Sequence, residues 1–213
     1  MEMKNEKTQD GSVGDGRGTD VGEIMRKRNE IRREALKARD ALSPAERRKS
    51  SLLMTERILG HQWFYRSDII LCFASFGSEI DTIELISEGI CKGKRIFLPK
   101  MTNVSGKWEM CFRRLQDRSE LSAGYRGILE PPENAEKYVY FTAEADRTLM
   151  LMPGVAFDAY HNRLGYGKGF YDGFLEKKDA LQLRTIAVGF ECQMVDWIPE
   201  REGDIRPYQV ICT

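Results

Sequence analysis

The sequence predicts an α/β fold: a three-layer α/β/α sandwich around a mostly parallel central sheet. Three observations carry this. Within residues 68–98 a strand, a helix and a second strand follow one another, which is a βαβ unit. The strand runs are continuously apolar, as in DIILCFA and LMLM, the pattern of strands buried on both faces. Over residues 149–175 an apolar strand enters a glycine-rich loop that opens into a helix.

Taken in order, residues 1–24 are polar and rich in Gly, Asp and Lys, and are expected to be disordered. Residues 25–213 are expected to form one domain. From Met25 the run RKRNEIRREALKARDAL is made of strong helix formers with an apolar stripe of Ile31, Ala35, Leu36 and Leu42. Ser43-Pro44-Ala45-Glu46 is a capping box with proline at the first helical position, and it starts a second helix through Leu59. Residues 68–74 are the first strand. Asp81 and Glu84 repeat the cap logic for a helix through about Cys91, ended by Gly93. Residues 94–98 (KRIFL) are the next strand, stopped by Pro99. Residues 108–112 give a further strand. Residues 121–147, with Gly124, Gly127 and Pro131-Pro132, read as irregular structure over the sheet. After the central motif, residues 184–190 (RTIAVGF) and 208–212 (YQVIC) complete the sheet. In such a sheet ligands sit at the carboxyl ends of the strands, and the loops after Ala74, Leu98 and Met152 are expected to open there.

Composition excludes some partners. Lys plus Arg equals Asp plus Glu, at 33 each, so no bulk charge favours nucleic acid or an anionic membrane. The five cysteines are scattered without a CxxC pair, as in a reduced, cytoplasmic protein. The two histidines show no zinc spacing. No apolar run has transmembrane length, and no secretory leader is visible at the amino terminus.

The chemistry concentrates in LMLMPGVAFDAYHNRLGYGKGFYDGFL, residues 149–175. Gly165, Gly167 and Gly169 enclose Tyr166 and Lys168, and the helix then begins with Phe170 and Tyr171. Glycines allow close approach and positive φ, and a helix start offers unpaired N–H groups. Lys168 adds a mobile charge, Arg163 a planar fork, and Asp172 an oxygen ligand suited to Mg²⁺ beside phosphate. The GK[ST] ending of a Walker loop is absent. Two readings fit these residues: a nucleotide phosphate site, or a glycine-rich connector whose Asp172 complements a helix dipole.

Residues 153–172, PGVAFDxxxNRLGYGKGFYD, resemble the signature of the 5-formyltetrahydrofolate cyclo-ligase (methenyltetrahydrofolate synthetase) family, with weaker likeness from about Arg28 to the carboxyl terminus. The resemblance implies an ATP- and Mg²⁺-dependent conversion of 5-formyltetrahydrofolate to 5,10-methenyltetrahydrofolate, releasing ADP and phosphate. It implies that Lys168 and Arg163 are catalytic. It implies ATP contacts from Arg28 and Arg32, four residues apart in a basic pair, and from Arg163, Leu164, Gly165, Tyr166, Gly167, Lys168, Gly169, Phe170 and Tyr171. Folate contacts are implied for Ala74, Glu79 and Tyr166 to Phe170, and Mg²⁺ ligation for Asp172 and Asp204. Tyr166, Phe170, Trp108 and Phe76 are candidates to stack on the folate rings. Tyr208 stands where the family pattern carries a second aspartate. The expected partners are these two small molecules, with no nucleic acid or membrane, acting on a monomer. The alternative is a non-catalytic nucleotide- or folate-binding regulator on the same fold.

Overall fold

The computed structural model of the protein describes residues 21–213. Of the expected tail, residues 1–20 lie outside the described residues. Residues 21–24 are already helical, because α1 runs Val21–Asp40, a turn earlier than its run of strong formers suggested. Its stripe of Ile31, Ala35 and Leu36 packs on Val155, Ala156, Leu164 and Ile198. α2 (Pro44–Leu59) begins on the expected capping box: Glu46 N–H donates to Ser43 Oγ, and Ser43 N–H donates to Glu46 Oε2 at 2.8 Å. A short α3 (Gln62–Arg66), not expected, follows and buries Phe64.

β1 (Ile69–Leu71) is shorter than its apolar run, though Cys72, Phe73 and Ala74 remain buried beyond its end. α4 (Ile83–Cys91) starts where Asp81 Oδ1 accepts from Ile83 N–H at 2.9 Å. β2 (Arg95–Val104) does not stop at Pro99; it continues into an antiparallel hairpin with β3 (Lys107–Leu115). The reason is geometric. The Phe97 carbonyl accepts from Cys72 N–H on the β1 side, so Pro99, two residues on, turns the same edge outward beyond the end of β1. No ladder hydrogen bond is lost there. The stretch expected to be irregular holds a small pair, β4 (Ser122–Ala123) and β5 (Leu129–Glu130). β6 (Thr148–Met152) is followed by a tight hairpin of β7 (Ala156–Phe157) and β8 (Arg163–Leu164). Then come α5 (Phe170–Leu175), α6 (Asp179–Gln182), β9 (Thr185–Gly189) and β10 (Gln209–Cys212).

The main sheet has the order β10-β9-β6-β1-β2-β3, parallel throughout except for β2 with β3. Side chains alternate between its faces. Ile70, Ile96, Leu98, Leu149, Leu151, Ile186 and Val188 meet Met54, Ile58, Leu85 and Ile86 of α2 and α4. Ile69, Leu71, Phe97, Met150, Met152 and Ala187 meet Leu175 and Leu181 of α5 and α6. These are the three expected layers. The chain leaves β1 toward one face and β6 toward the other, and β1 and β6 are neighbours. A crevice therefore opens between their carboxyl ends.

Candidate active site

The crevice is a cleft of about 350 Å³, a volume suited to a small ligand. Its floor is Phe73 and Ala74 after β1 and Pro153 after β6. Residues 165–169 form one wall. Pro99, Met101 and Met110 of the β2–β3 hairpin, with residues 125–130, form the facing wall. α1 closes one end with Arg28 and Arg32. No loop opens after Leu98; the continuing strand is itself the wall.

The motif folds around Asp158. Its carboxylate is fully buried and accepts from the N–H groups of Tyr160, Asn162 and Ile198 and from Asn162 Nδ2, each at 2.9 Å. That closes the turn holding β7 against β8. Gly154 is required by packing, since a Cβ there would lie 2.5 Å from the Phe157 ring. Arg163 is then held beneath the cleft. It donates to Pro153 O and to Asp172 Oδ1, both at 3.3 Å, and lies over the Tyr171 ring.

Gly167 (φ 89°) and Gly169 (φ 67°) take left-handed backbone that only glycine adopts freely. Lys168 between them is exposed and has no ion pair among the described residues. The following α5 has six residues, so its dipole is small and the charge at this wall rests on Lys168 and the arginines.

Of the expected site residues, Arg28, Arg32, Asp172 and Asp204 line the cleft and Leu164 does not. Leu164 is off the cleft: its side chain packs under α1. Arg28 was expected at phosphate and Asp204 at a metal, yet they hold each other. Both Asp204 oxygens accept from the Arg28 fork, at 2.5 and 3.2 Å, and Arg28 also donates to Pro199 O at 2.7 Å. The 4%-exposed Arg28 is thereby neutralised, as burial of a guanidinium demands. Arg32 is the freer of the pair. Its Nε donates to Gly165 O at 2.8 Å and its Nη1 to Asn29 Oδ1. Burial, then the neighbouring Arg28 and Arg201, push its pKa down, while Asp204 opposes them. Asp172 Oδ1 accepts from Arg163 and from Ile205 N–H, whereas its Oδ2 has no donor among the described residues.

Across the floor, Glu79 Oε1 accepts from the Tyr166 hydroxyl at 2.9 Å and its Oε2 from Phe76 N–H at 3.0 Å. Burial pushes the Glu79 carboxyl above its ordinary range, against the hydrogen bonds of Phe76 and Tyr166 and the charge of Arg39. The Tyr166 ring is half exposed, but its hydroxyl is enclosed, and burial with the Glu79 charge raises it to about 12. Burial also raises Tyr171. Phe76 and Phe170 line the cleft. Trp108 does not; it stacks on Tyr125 at 4.7 Å, and Tyr125 meets Phe170 edge-on at 6.3 Å. Tyr208 sits at the amino-terminal edge of the sheet against Trp63, away from the cleft.

The sequence reading missed the wall at residues 125–130, Arg201, and Arg39. Arg39 follows Arg28 by eleven residues, which at 100° per residue returns within about 20° of the same helix face. That spacing is the signal that was available.

Fold and site define a class: an α/β protein with a ligand-sized, cation-lined cleft at the switch point of its sheet. Comparison with known proteins narrows it. The profile of the 5-formyltetrahydrofolate cyclo-ligase family matches residues 24–213. The mouse (Mus musculus) 5-formyltetrahydrofolate cyclo-ligase is 30% identical over 188 residues, covering 85% of this chain and 91% of that protein. The Escherichia coli K12 protein of that name is 29% identical over 167 residues, covering 78% and 90%. The NMR structure of Aquifex aeolicus 5,10-methenyltetrahydrofolate synthetase matches with a TM-score of 0.69 at 29% identity, covering 84% of this chain and 86% of that one. The chain belongs to the 5-formyltetrahydrofolate cyclo-ligase family.

Proposed function

We propose that the protein converts 5-formyltetrahydrofolate and MgATP to 5,10-methenyltetrahydrofolate, ADP and phosphate. The formyl oxygen attacks the γ-phosphorus and ADP leaves. N10 of the folate then attacks the activated formyl carbon and loses its proton. The formyl oxygen departs with the phosphate, leaving the bridged methenyl cation. The observation that carries this reading is the meeting, within one cleft, of Lys168, which has no ion pair among the described residues, with Glu79, whose carboxylate accepts from the Tyr166 hydroxyl of the same glycine-rich wall.

Phosphoryl transfer needs positioning and neutralised charge more than covalent help. Lys168 and Arg32 supply mobile cations to the phosphates, and Arg163 supports them from beneath. Glu79 accepts from N–H groups of the pterin, and Phe76, Phe170 and Tyr125 offer ring faces. Asp172 suits a Mg²⁺ ligand, since its Oδ2 has no donor among the described residues. When bound, the ion would supply positive charge to the phosphates. Asp204 is better read as the anchor of Arg28 than as a second ligand.

A cytoplasmic monomer belongs to the same reading, on five free thiols. Among the described residues, no helix is long and apolar enough to cross a membrane. The test mixes the protein with 5-formyltetrahydrofolate and MgATP and follows methenyl absorbance. Product only when all three are present supports the reading; binding of both ligands without product supports the regulator instead.

A further inference from the structure

Arg39 has no place in the reaction described so far, yet it is the most constrained charge behind the cleft. Its side chain is in α1 and the residue is 4% exposed. Nε donates to Ser78 Oγ at 2.9 Å, and Nη2 donates to the Tyr166 hydroxyl at 3.0 Å. Nη1 is buried without an acceptor. The gap beside it, bounded by Phe73, Ile80, Val188 and Gln193, leaves no room for a water molecule. A buried guanidinium with an orphaned N–H is unfavourable in itself, so its neighbours must require the charge.

The geometry of the Tyr166 hydroxyl supplies the reason. Its oxygen accepts from Arg39, which turns its one hydrogen toward Glu79 Oε1, 2.9 Å away. The other Glu79 oxygen accepts from Phe76 N–H. Both oxygens are therefore acceptors, the pattern of an ionised carboxylate. We infer that Arg39 is a positioning residue for the folate subsite: it orients the Tyr166 hydroxyl and keeps Glu79 an anion able to accept from pterin N–H groups. This rests on the reaction proposed above.

Electrostatics support the geometry. Burial drives Glu79 toward its neutral form, and the Arg39 charge is among the influences opposing this. The groups facing this pair are Tyr166 from the glycine-rich wall and Tyr171 from α5, whose phenol is raised by burial and by the Glu79 charge. On the far side of Arg39, Ser78 donates to Asp40, and the Cys192 thiol lies within reach of the guanidinium's field.

The test measures steady-state kinetics of Arg39→Gln, Arg39→Lys and Tyr166→Phe against the intact protein. Arg39→Gln is expected to raise KM for 5-formyltetrahydrofolate by roughly tenfold or more and leave KM for ATP within about twofold. The acid limb of the folate kcat/KM profile should move to higher pH, because Glu79 loses the cation that favours its charged form. Arg39→Lys retains a positive charge and should return the acid limb toward its original position. If Arg39→Gln does not fold, Tyr166→Phe decides, since its ring is half exposed and only the hydroxyl is removed. It should show the same split between the two substrates. Unchanged folate KM and acid limb in a folded variant, or equal rises in both KM values, overturn the inference alone. No turnover in the intact protein overturns the reaction and this inference with it.

Discussion

Lys168 projects from a segment whose two flanking glycines hold left-handed backbone, and among the described residues it touches no counter-ion. Packing gives it nothing to do, as the proposed phosphate contact requires. Lys168→Ala should lower turnover by about 10²–10³-fold, the scale of losing one charge-stabilising donor. Melting should shift little, because an exposed side chain is removed. Turnover like that of the intact protein would remove Lys168 from the phosphate site. Glu79 is the opposite case, a carboxylate held where burial disfavours its charge. Its folded pKa lies above its unfolded value, so its contribution to stability is fully present below the ordinary carboxylate range and is lost as pH rises through the folded pKa. Glu79→Gln should therefore melt higher than the intact protein near neutral pH, and the gain should vanish in acid. The same variant should bind 5-formyltetrahydrofolate more weakly while ATP binding holds. A melting temperature that does not rise at neutral pH would show that the hydrogen bonds outweigh the desolvation. Both residues were legible in the sequence, because a local pattern or a family motif surrounds them. Arg39 offered only its eleven-residue spacing from Arg28, and its contact with Tyr166 spans 127 residues of chain.

At the scale of elements, the Arg28–Asp204 pair fastens α1 to the segment before β10. Removing Asp204 leaves the buried Arg28 without a counter-ion, whereas removing Arg28 leaves Asp204 with Arg201, whose Nε lies 3.8 Å from Asp204 Oδ1. Asp204→Asn should cost on the order of 3 kcal/mol, a fall in Tm of roughly 6–12 °C for a chain of this size, and Arg28→Gln should cost less. The double variant should lose less than the sum, since the two share one interaction. An unchanged Tm in Asp204→Asn, with a higher Mg²⁺ requirement, would return Asp204 to the metal. The elements differed in how well they could be read. The capping box at Ser43 and the βαβ unit were plain, since each is written in adjacent residues. Pro99 misled, because proline ends a strand only where its missing N–H is needed, and here it faces the edge beyond β1. The end of β1 at Leu71 was hidden for a related reason: Cys72, Phe73 and Ala74 are buried for packing, not for pairing, and apolarity alone does not separate the two.

Over the whole molecule, the cleft's walls come from the two sides of β1 in the sheet order. The glycine-rich loop belongs to the β6 side, and the β2–β3 hairpin with residues 125–130 to the other. The parallel core followed from apolar strands alternating with helices, so a cleft at the carboxyl ends of the strands was legible, while the switch point between β1 and β6 needed the strand order. The far wall was not legible, because its order depends on one distant group. Glu130, 3% exposed, accepts from Tyr125 N–H at 3.1 Å and pairs with Lys100 of β2 at 3.1 Å. Gly124 makes room for it, since a Cβ there would lie 2.2 Å from the Glu130 carboxylate. A ligand that touches both walls therefore joins two parts of the chain. Mass action sets the size of the effect: ligand at about 100 times its Kd adds about 2.7 kcal/mol to stability. For a chain of this size that is a rise in Tm of roughly 5–10 °C. Saturating 5-formyltetrahydrofolate should produce it in a thermal melt of the intact protein. In Gly124→Leu the side chain would strike Glu130 and displace residues 125–130. The melt without ligand should then fall only modestly, since those residues lie outside the main sheet, while the ligand-induced rise shrinks. A full ligand-induced rise in that variant would mean that the folate is held by the glycine-rich side alone.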